Sequence, residues 1–409
     1  MAVAIFSFNS AKAQITIVGQ NNPATDIQAV QRAVNQGGTI NLKGIFDFGN
    51  EGRVSITKDV KILGETNHKG PVTKIKGGFW TLHSPLPAQL PPIAPGPKVS
   101  IQSIHFEGAL GSAIYLVYSS GATITGNKLT NLRPKESDFP IFGKIGLNYQ
   151  RGIFCGTAYA QPFASRKYIP DAFNGHLTIT DNDIDLTNDV PTKTMAQGVF
   201  VACTTGVNAR IQGNTIINCS RNSIETIDNY LGKDGSGMIV IKNNQIVTST
   251  EGLPIPGPST PSGILVGWSY DFSGGVDPQR NIKHIVANNG IRTRGKTSRG
   301  IISFTDGVVI ANNAILSEGS EAFPLIVGSS DGYIAYNKAE GISSRPGVLV
   351  ITREPFKGSK NVIMDNDLKQ FKTSAADVVF EKDACNNFYI GHSCKVSDLG
   401  SNNLIQMTK

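Results

Sequence analysis

The chain has 409 residues, of which 44 are Gly and 21 Pro, with 39% apolar and only 17% charged side chains. That apolar share excludes a disordered chain, the Gly and Pro content argues for turn-rich β structure over helix, and no apolar run reaches the ~18 residues of a membrane span. A formal net charge of +7 concentrates anions locally and favours acidic partners without choosing one.

The N-terminus reads MAVAIFSFNSAKAQITIVG, and Ala11-Lys12-Ala13 before Gln14 has the small-x-small form of a signal-cleavage site. A secreted or periplasmic protein with a truncated signal over 1–13 is expected, a plain first strand being the other reading. TDIQAVQRAVNQGGTINL (25–42) has the pattern of a short amphipathic helix over about 25–36, with Thr25 or Asp26 as N-cap and Gly37-Gly38 as its stop. SPLPAQLPPIAPGP (84–97) holds six Pro and is expected as a stiff loop.

From residue 122 onward one phrase keeps returning: ATITGNKLTNL, LTITDNDIDL, ARIQGNTIIN, IVIKNNQIV, HIVANNGIR, VVIANNAIL, YIAYNKAEGI and NVIMDNDLKQ. Each puts an apolar residue three before an Asn, at 127, 182, 214, 244, 289, 313, 337 and 366. The shortest interval, 24 residues, suits one coil of three short strands. Asn is expected at the bend because it tolerates left-handed backbone, and stacked copies can join their amides. A third strand precedes each phrase, as in GIFCG (152–156), GVFVA (198–202), SIETI (223–227) and GILVG (263–267).

Strand, turn, strand, Asn bend, strand, loop: this order resembles the right-handed parallel β-helix of the pectin lyase-like superfamily. The resemblance implies one all-β domain over 14–409, with the helix near 25–36 capping the first coil. Sorted by parity, Ile153, Val199, Ile224, Ile264, Ile301, Leu325, Val348 and Val378 should point inward. Their successors Phe154, Phe200, Glu225, Leu265, Ile302, Ile326, Leu349 and Val379 should form an outer row, apolar except at Glu225. Such a row should be covered by loops, buried in a homo-oligomer, or used to hold a ligand.

Long loops flank this row between 132 and 283, so a cleft is expected there, with Phe154, Phe200, Glu225 and Leu265 as its floor. Glu225 is the acid/base candidate, Asp228 or Asp271 its partner, Arg221 and Arg280 the charge stabilisers. Trp268, Tyr270, Tyr149 and Lys167 join Phe154 and Phe200 as substrate-binding candidates. RTRGKTSRG (292–300) reads as a solvated loop or a polyanion anchor.

The superfamily implies a polysaccharide lyase or hydrolase working on a polysaccharide, acidic or neutral. The chain lacks the NTDG, paired DD, GHG, RIK and DPHD signatures of its better-marked families. A β-helix that binds glycan or protein without catalysis, and an enzyme for a small apolar substrate, are the other readings. No cofactor is expected, Ca2+ entering only for a lyase, because Phe200 and Leu265 beside Glu225 supply no acidic cluster. No nucleic acid is expected as partner. Cys155, Cys203, Cys219, Cys385 and Cys394 are too sparse for a disulfide framework, with Cys385 and Cys394 as a conceivable terminal pair in an exported protein.

Overall fold

The computed structural model describes residues 14–136, 148–158, 168–187, 194–249, 261–267, 280–392 and 394–408. The segment 1–13 and, of the expected site residues, Lys167, Trp268, Tyr270 and Asp271 lie outside them. Strands recur in a fixed order, one in each of three sheets per coil: sheet A, the Asn bend, sheet B, a turn, then sheet C. The sheets hold 14, 11 and 13 strands, and the coil-to-coil ladders are parallel. The chain is thus a right-handed parallel β-helix.

The inward row of sheet C pairs as the alternation predicts, Ile153 to Val199, Ile224, Ile264, Ile301, Leu325, Val348 and Val378. All eight are fully buried, each contributing about 1.5–3 kcal/mol by leaving water. Ile211, Ile241, Val286 and Ile310 from sheet A, and Ile184, Ile216, Ile246 and Ile291 from sheet B, complete the core.

At the bend between sheets A and B the asparagines stack. Nδ2 of Asn127 donates to Oδ1 of Asn182, and the chain of amides continues through Asn214, Asn244, Asn289, Asn313, Asn337 and Asn366 at 2.9–3.0 Å per step. The left-handed residue is not the stacked Asn but the one before it: Gly126, Asp181, Gly213, Asn243, Asn288, Asn312, Tyr336 and Asp365 all have φ between 47° and 69°. The expected backbone role of the stacked Asn is therefore corrected. Its side chain satisfies buried backbone groups instead, as when Asn289 Nδ2 also donates to Ile241 O at 3.1 Å. A second stack, Asn361 to Asn387 to Asn403, lies at the turn before sheet A in the last coils.

The capping helix spans Pro23–Gln36 and ends on Gly37 at φ 77°. Its N-cap is Asn22, whose Oδ1 accepts from Ala24 N at 3.0 Å, rather than Thr25 or Asp26. Asp26 is buried and accepts from the backbone N–H groups of Gln20, Asn22 and Asp47 at 2.8–2.9 Å, tying the helix start to the first coil. The proline-rich loop is pinned by Ser119 and Ser120, whose hydroxyls donate to Pro97 O and Gly96 O at 2.8 and 2.7 Å. Cys385 and Cys394 do not pair. Both are free thiols, and Cys394 Sγ lies 2.8 Å from the Tyr389 hydroxyl.

Candidate functional site

The outer row of sheet C has the expected register, Tyr115 to Phe154, Phe200, Glu225, Leu265, Ile302, Ile326, Leu349 and Val379. It is not an open floor. Phe154 and Phe200 are fully buried, and Ile302 and Ile326 are buried beside Tyr230, Phe304 and Phe356. Trp80, Tyr115 and Phe154 stack with centroids 4.2 and 4.4 Å apart, and Phe200 follows at 5.4 Å. Such contacts add to the burial of area, so Phe154 and Phe200 act as a second core outside the sheet. The same burial removes this stretch as an oligomer interface.

Glu225 interrupts that row, at 4% exposure. Its Oε2 accepts from Gln197 Nε2 and from Asn222 Nδ2, the latter at 2.6 Å. Gln197 Oε1 in turn accepts from Arg151 Nε at 2.9 Å, and Asn222 Oδ1 accepts from Ser262 N and Oγ at 3.0 and 2.6 Å. A continuous polar strip therefore runs Arg151, Gln197, Glu225, Asn222, Ser262 across four coils. Both amides grip one oxygen, and no donor among the described residues reaches Oε1.

Arg151 is buried, with its guanidinium 4.6 Å from the Tyr149 ring and 5.4 Å from that of Phe200. Tyr149 itself is buried and accepts from Trp80 Nε1 at 3.2 Å. Its ring packs against Arg151 at the start of the strip.

Beyond Ser262 the strip reaches Arg299, its partner on the next strand. Three of the four cations in 292–300 are neutralised on sheet B and its turn: Arg292 and Arg294 bond Glu318, and Lys296 pairs with Glu321, which also takes Arg345. Hydrogen bonding from Arg292 holds the Glu318 carboxyl down at about 2. Arg299 differs. Burial, then repulsion from Arg353 and Arg221, lowers its pKa, and its Nε has no acceptor among the described residues. Arg353 lies over the Phe304 ring at 4.9 Å. Three guanidiniums thus share one field beside the Glu225 strip, an arrangement that attracts an anion.

Asp228 and Arg280 are placed away from the Glu225 carboxyl. Asp228 ends the strand Ile224–Ile227 at φ 52°, fully buried, and after burial it is the second cause of the raised Cys203 pKa. Arg280 is exposed, its NH2 donating to Leu231 O at 3.3 Å. Arg221 is half-buried next to Asn222 and within the field of Arg299. Gln197, Asn222 and Ser262 were not among the expected site residues, and Arg299 was expected only as part of the solvated loop or polyanion anchor at 292–300. Their signal was nonetheless present: Arg151, Gln197, Ser262 and Arg299 each precede the Gly that opens a sheet C phrase.

Calcium would take 6–8 oxygens. The amides and guanidiniums around Glu225 do not provide them, and no three His, Cys, Asp or Glu side chains converge among the described residues. No described helix is long and apolar enough to cross a membrane.

No family model matches the chain, and no curated protein matches it. Among solved structures, the mannuronan C-5 epimerase AlgE6 A-module of Azotobacter vinelandii is 14% identical over 94% of both chains, with a TM-score of 0.42. The DFA-IIIase of Arthrobacter chlorophenolicus A6 is 11% identical over 93% of this chain and 94% of its own, at 0.43. The surface protein and adhesin PfbA of Streptococcus pneumoniae is 9% identical over 96% and 97%, at 0.36. Similarity this low says nothing of what the chain acts on. Its sheets and register make the chain a parallel β-helix.

Proposed function

We infer that the protein is a carbohydrate-active enzyme of the lyase type, taking an acidic polysaccharide at the Glu225 strip on the outer side of sheet C. The observation that carries this reading is the Glu225 carboxyl, oriented by two amides through Oε2 with Oε1 left to exchange a proton. In a lyase step Glu225 removes the proton next to the substrate carboxylate, a C=C bond forms, and the glycosidic oxygen leaves from the neighbouring carbon. Arg299, helped by Arg221, would hold the substrate carboxylate and stabilise the charge that develops there.

A hydrolase needs two carboxyl groups about 5–10 Å apart. Among the described residues the groups bonded to Glu225 are amides, and the Arg299 guanidinium lies two coils further along the same strip. A carboxylate base with a cation beside it is what supports the lyase reading. The 4% exposure of Glu225 favours a second reading, a glycan-binding protein without catalysis.

Incubation with acidic and neutral polysaccharides, following both unsaturated-product absorbance and reducing ends, separates these readings. The lyase reading expects both signals from an acidic polymer, and a loss of at least ~10²-fold in rate for Glu225→Gln. Reducing ends without absorbance would make the protein a hydrolase. Retained glycan binding with neither signal would make it a binding protein.

A further inference from the structure

The outer row of sheet C begins on the first coil, where Ser55 pairs with His83 and His83 with Tyr115. Val54 and Leu82 lie in the core, so Ser55 and His83 point outward, and Arg53, two residues before Ser55, shares their face. Ser55 is fixed through its backbone, whose N and O bond the side-chain amide of Gln31 on the capping helix at 2.8 and 2.9 Å. Its half-buried hydroxyl has no partner among the described residues.

The Arg53 guanidinium lies over the rings of Phe79 and Trp80, 4.6 and 4.7 Å from their centroids, and its Nε donates to Phe79 O at 3.0 Å. One face and Nε are thereby used, while both Nη groups lack an acceptor among the described residues. Glu51 contributes to the field at Arg53 without forming an ion pair with it. Lys135 adds a second cation 6.0 Å from the Phe79 centroid.

Two further features are unfavourable in an empty site. His83 is 8% exposed, and its Nδ1 has no hydrogen-bond partner among the described residues; a buried polar atom in that state has lost its water without replacement. Burial, then Arg53, holds the ring's pKa down at about 3, so it is neutral, with one nitrogen to donate and one to accept. Trp80, which carries Arg53, sits at φ 48°, a left-handed backbone that a bulky side chain adopts only under constraint and that gathers at ligand clamps.

We propose that Arg53, Ser55 and His83 form a binding site for a monocarboxylate at the N-terminal end of sheet C. The paired Nη edge of Arg53 takes both carboxylate oxygens, a fork geometry that an ammonium group cannot offer. The Ser55 hydroxyl and the protonated Nδ1 of His83 donate from adjacent strands. A planar carboxylate spends both oxygens on this edge, whereas a phosphate dianion would turn a further oxygen and a second charge toward the neutral His83 and the Glu51 carboxylate. The carboxylate is that of a free small acid or of a uronate sugar. Along the outer row the site lies four strands from Glu225, ~19 Å, and it does not depend on the activity inferred there.

The chain has two tryptophans, Trp80 and Trp268, so in a Trp268→Phe background the emission of Trp80 reports the site. Titration with glucuronate, acetate, glucose and inorganic phosphate tests it. Glucuronate is expected to shift the emission saturably while glucose does not. Arg53→Gln should weaken that response at least ~10-fold. Glu225→Gln should leave it alone, which keeps the failure of this site distinct from the failure of the lyase reading. Should Arg53→Gln fold poorly, Arg53→Lys keeps the charge and is expected to melt as the wild type does while still losing ~10-fold in affinity. Acetate bound as tightly as glucuronate supports the site as one for a free small acid, and acetate bound much more weakly supports a uronate sugar. No saturable shift with either carboxylate, phosphate bound more tightly than both, or a response indifferent to both Arg53 variants overturns the proposal.

Discussion

The outer faces of sheets C and A carry similar apolar rows and treat them in opposite ways. On sheet C the row is sealed, with Phe154 and Phe200 at zero exposure behind Trp80 and Tyr115. On sheet A the outward row Val240, Ile285, Val309, Tyr333, Val362, Phe388 and Leu404 keeps part of every side chain in water. The β-helix thus has two kinds of outside, one that acts as a second core and one that remains surface. An outward-facing residue is energetically a core residue wherever something covers it.

The contrast should appear first as stability. Phe200→Ala is expected to cost about 3–5 kcal/mol, the value for emptying a packed aromatic site. Val362→Ala on sheet A should cost no more than ~1 kcal/mol. Denaturant unfolding of both variants checks this, and equal costs would erase the distinction.

A pH titration reaches the inner row of sheet A. His284 is fully buried there, and burial lowers its pKa to about 4 against the opposing effect of the Ile282 backbone. The unfolded chain takes up this proton near 6.5 while the folded one does not. Stability is therefore full above pH 6.5 and falls as pH drops toward 4, by up to ~3 kcal/mol. His83, lowered to about 3 by burial and then by Arg53, adds to the same trend. Melting temperatures at pH 7 and 4.5 should converge in His284→Leu; an unchanged gap would assign the acid sensitivity elsewhere.

The smallest effect concerns the Asn stack. Asn289→Ala removes the acceptor of Asn244 N and Nδ2 in a dry interior and should cost about 1–3 kcal/mol. Asn403→Ala, in a half-buried end position, should cost less. The difference is measurable by the same unfolding titration.

Most of the fold was legible because a coil repeats: parity and the spacing of eight asparagines set the inward rows and their register before any contact is known. Coverage was not legible. Trp80 and Tyr149, which help to seal the outer row of sheet C, meet across 69 residues of sequence, and no local pattern announces such a pairing. At the site, Glu225 stood out as the one carboxylate in an apolar row, but its partners did not, because Gln197 and Asn222 are ordinary surface residues until they share an oxygen. The row containing Arg151, Gln197, Ser262 and Arg299 was readable through the glycines that follow. At Gly198 an added Cβ would come within 2.6 Å of Ser223 O, and at Gly300 within 2.4 Å of Pro324 O. Close coil-to-coil approach requires those glycines, and they flag the polar residue before them.

The directionality of the Asn stack has a consequence for how such a chain can lengthen. Every amide from Asn127 to Asn337 accepts from the coil before and donates to the coil after, so each interior coil presents the same pair of connectors at its two ends. Residues 290–313 and 314–337 are two successive units of 24, each ending on a stacked Asn. Deleting one, or duplicating it, leaves Asn289 facing another Asn with no amide orphaned. Length is then nearly a neutral trait for this half of the solenoid, open to change by whole coils, while the strip around Glu225, whose partners all differ, cannot be shifted by even one.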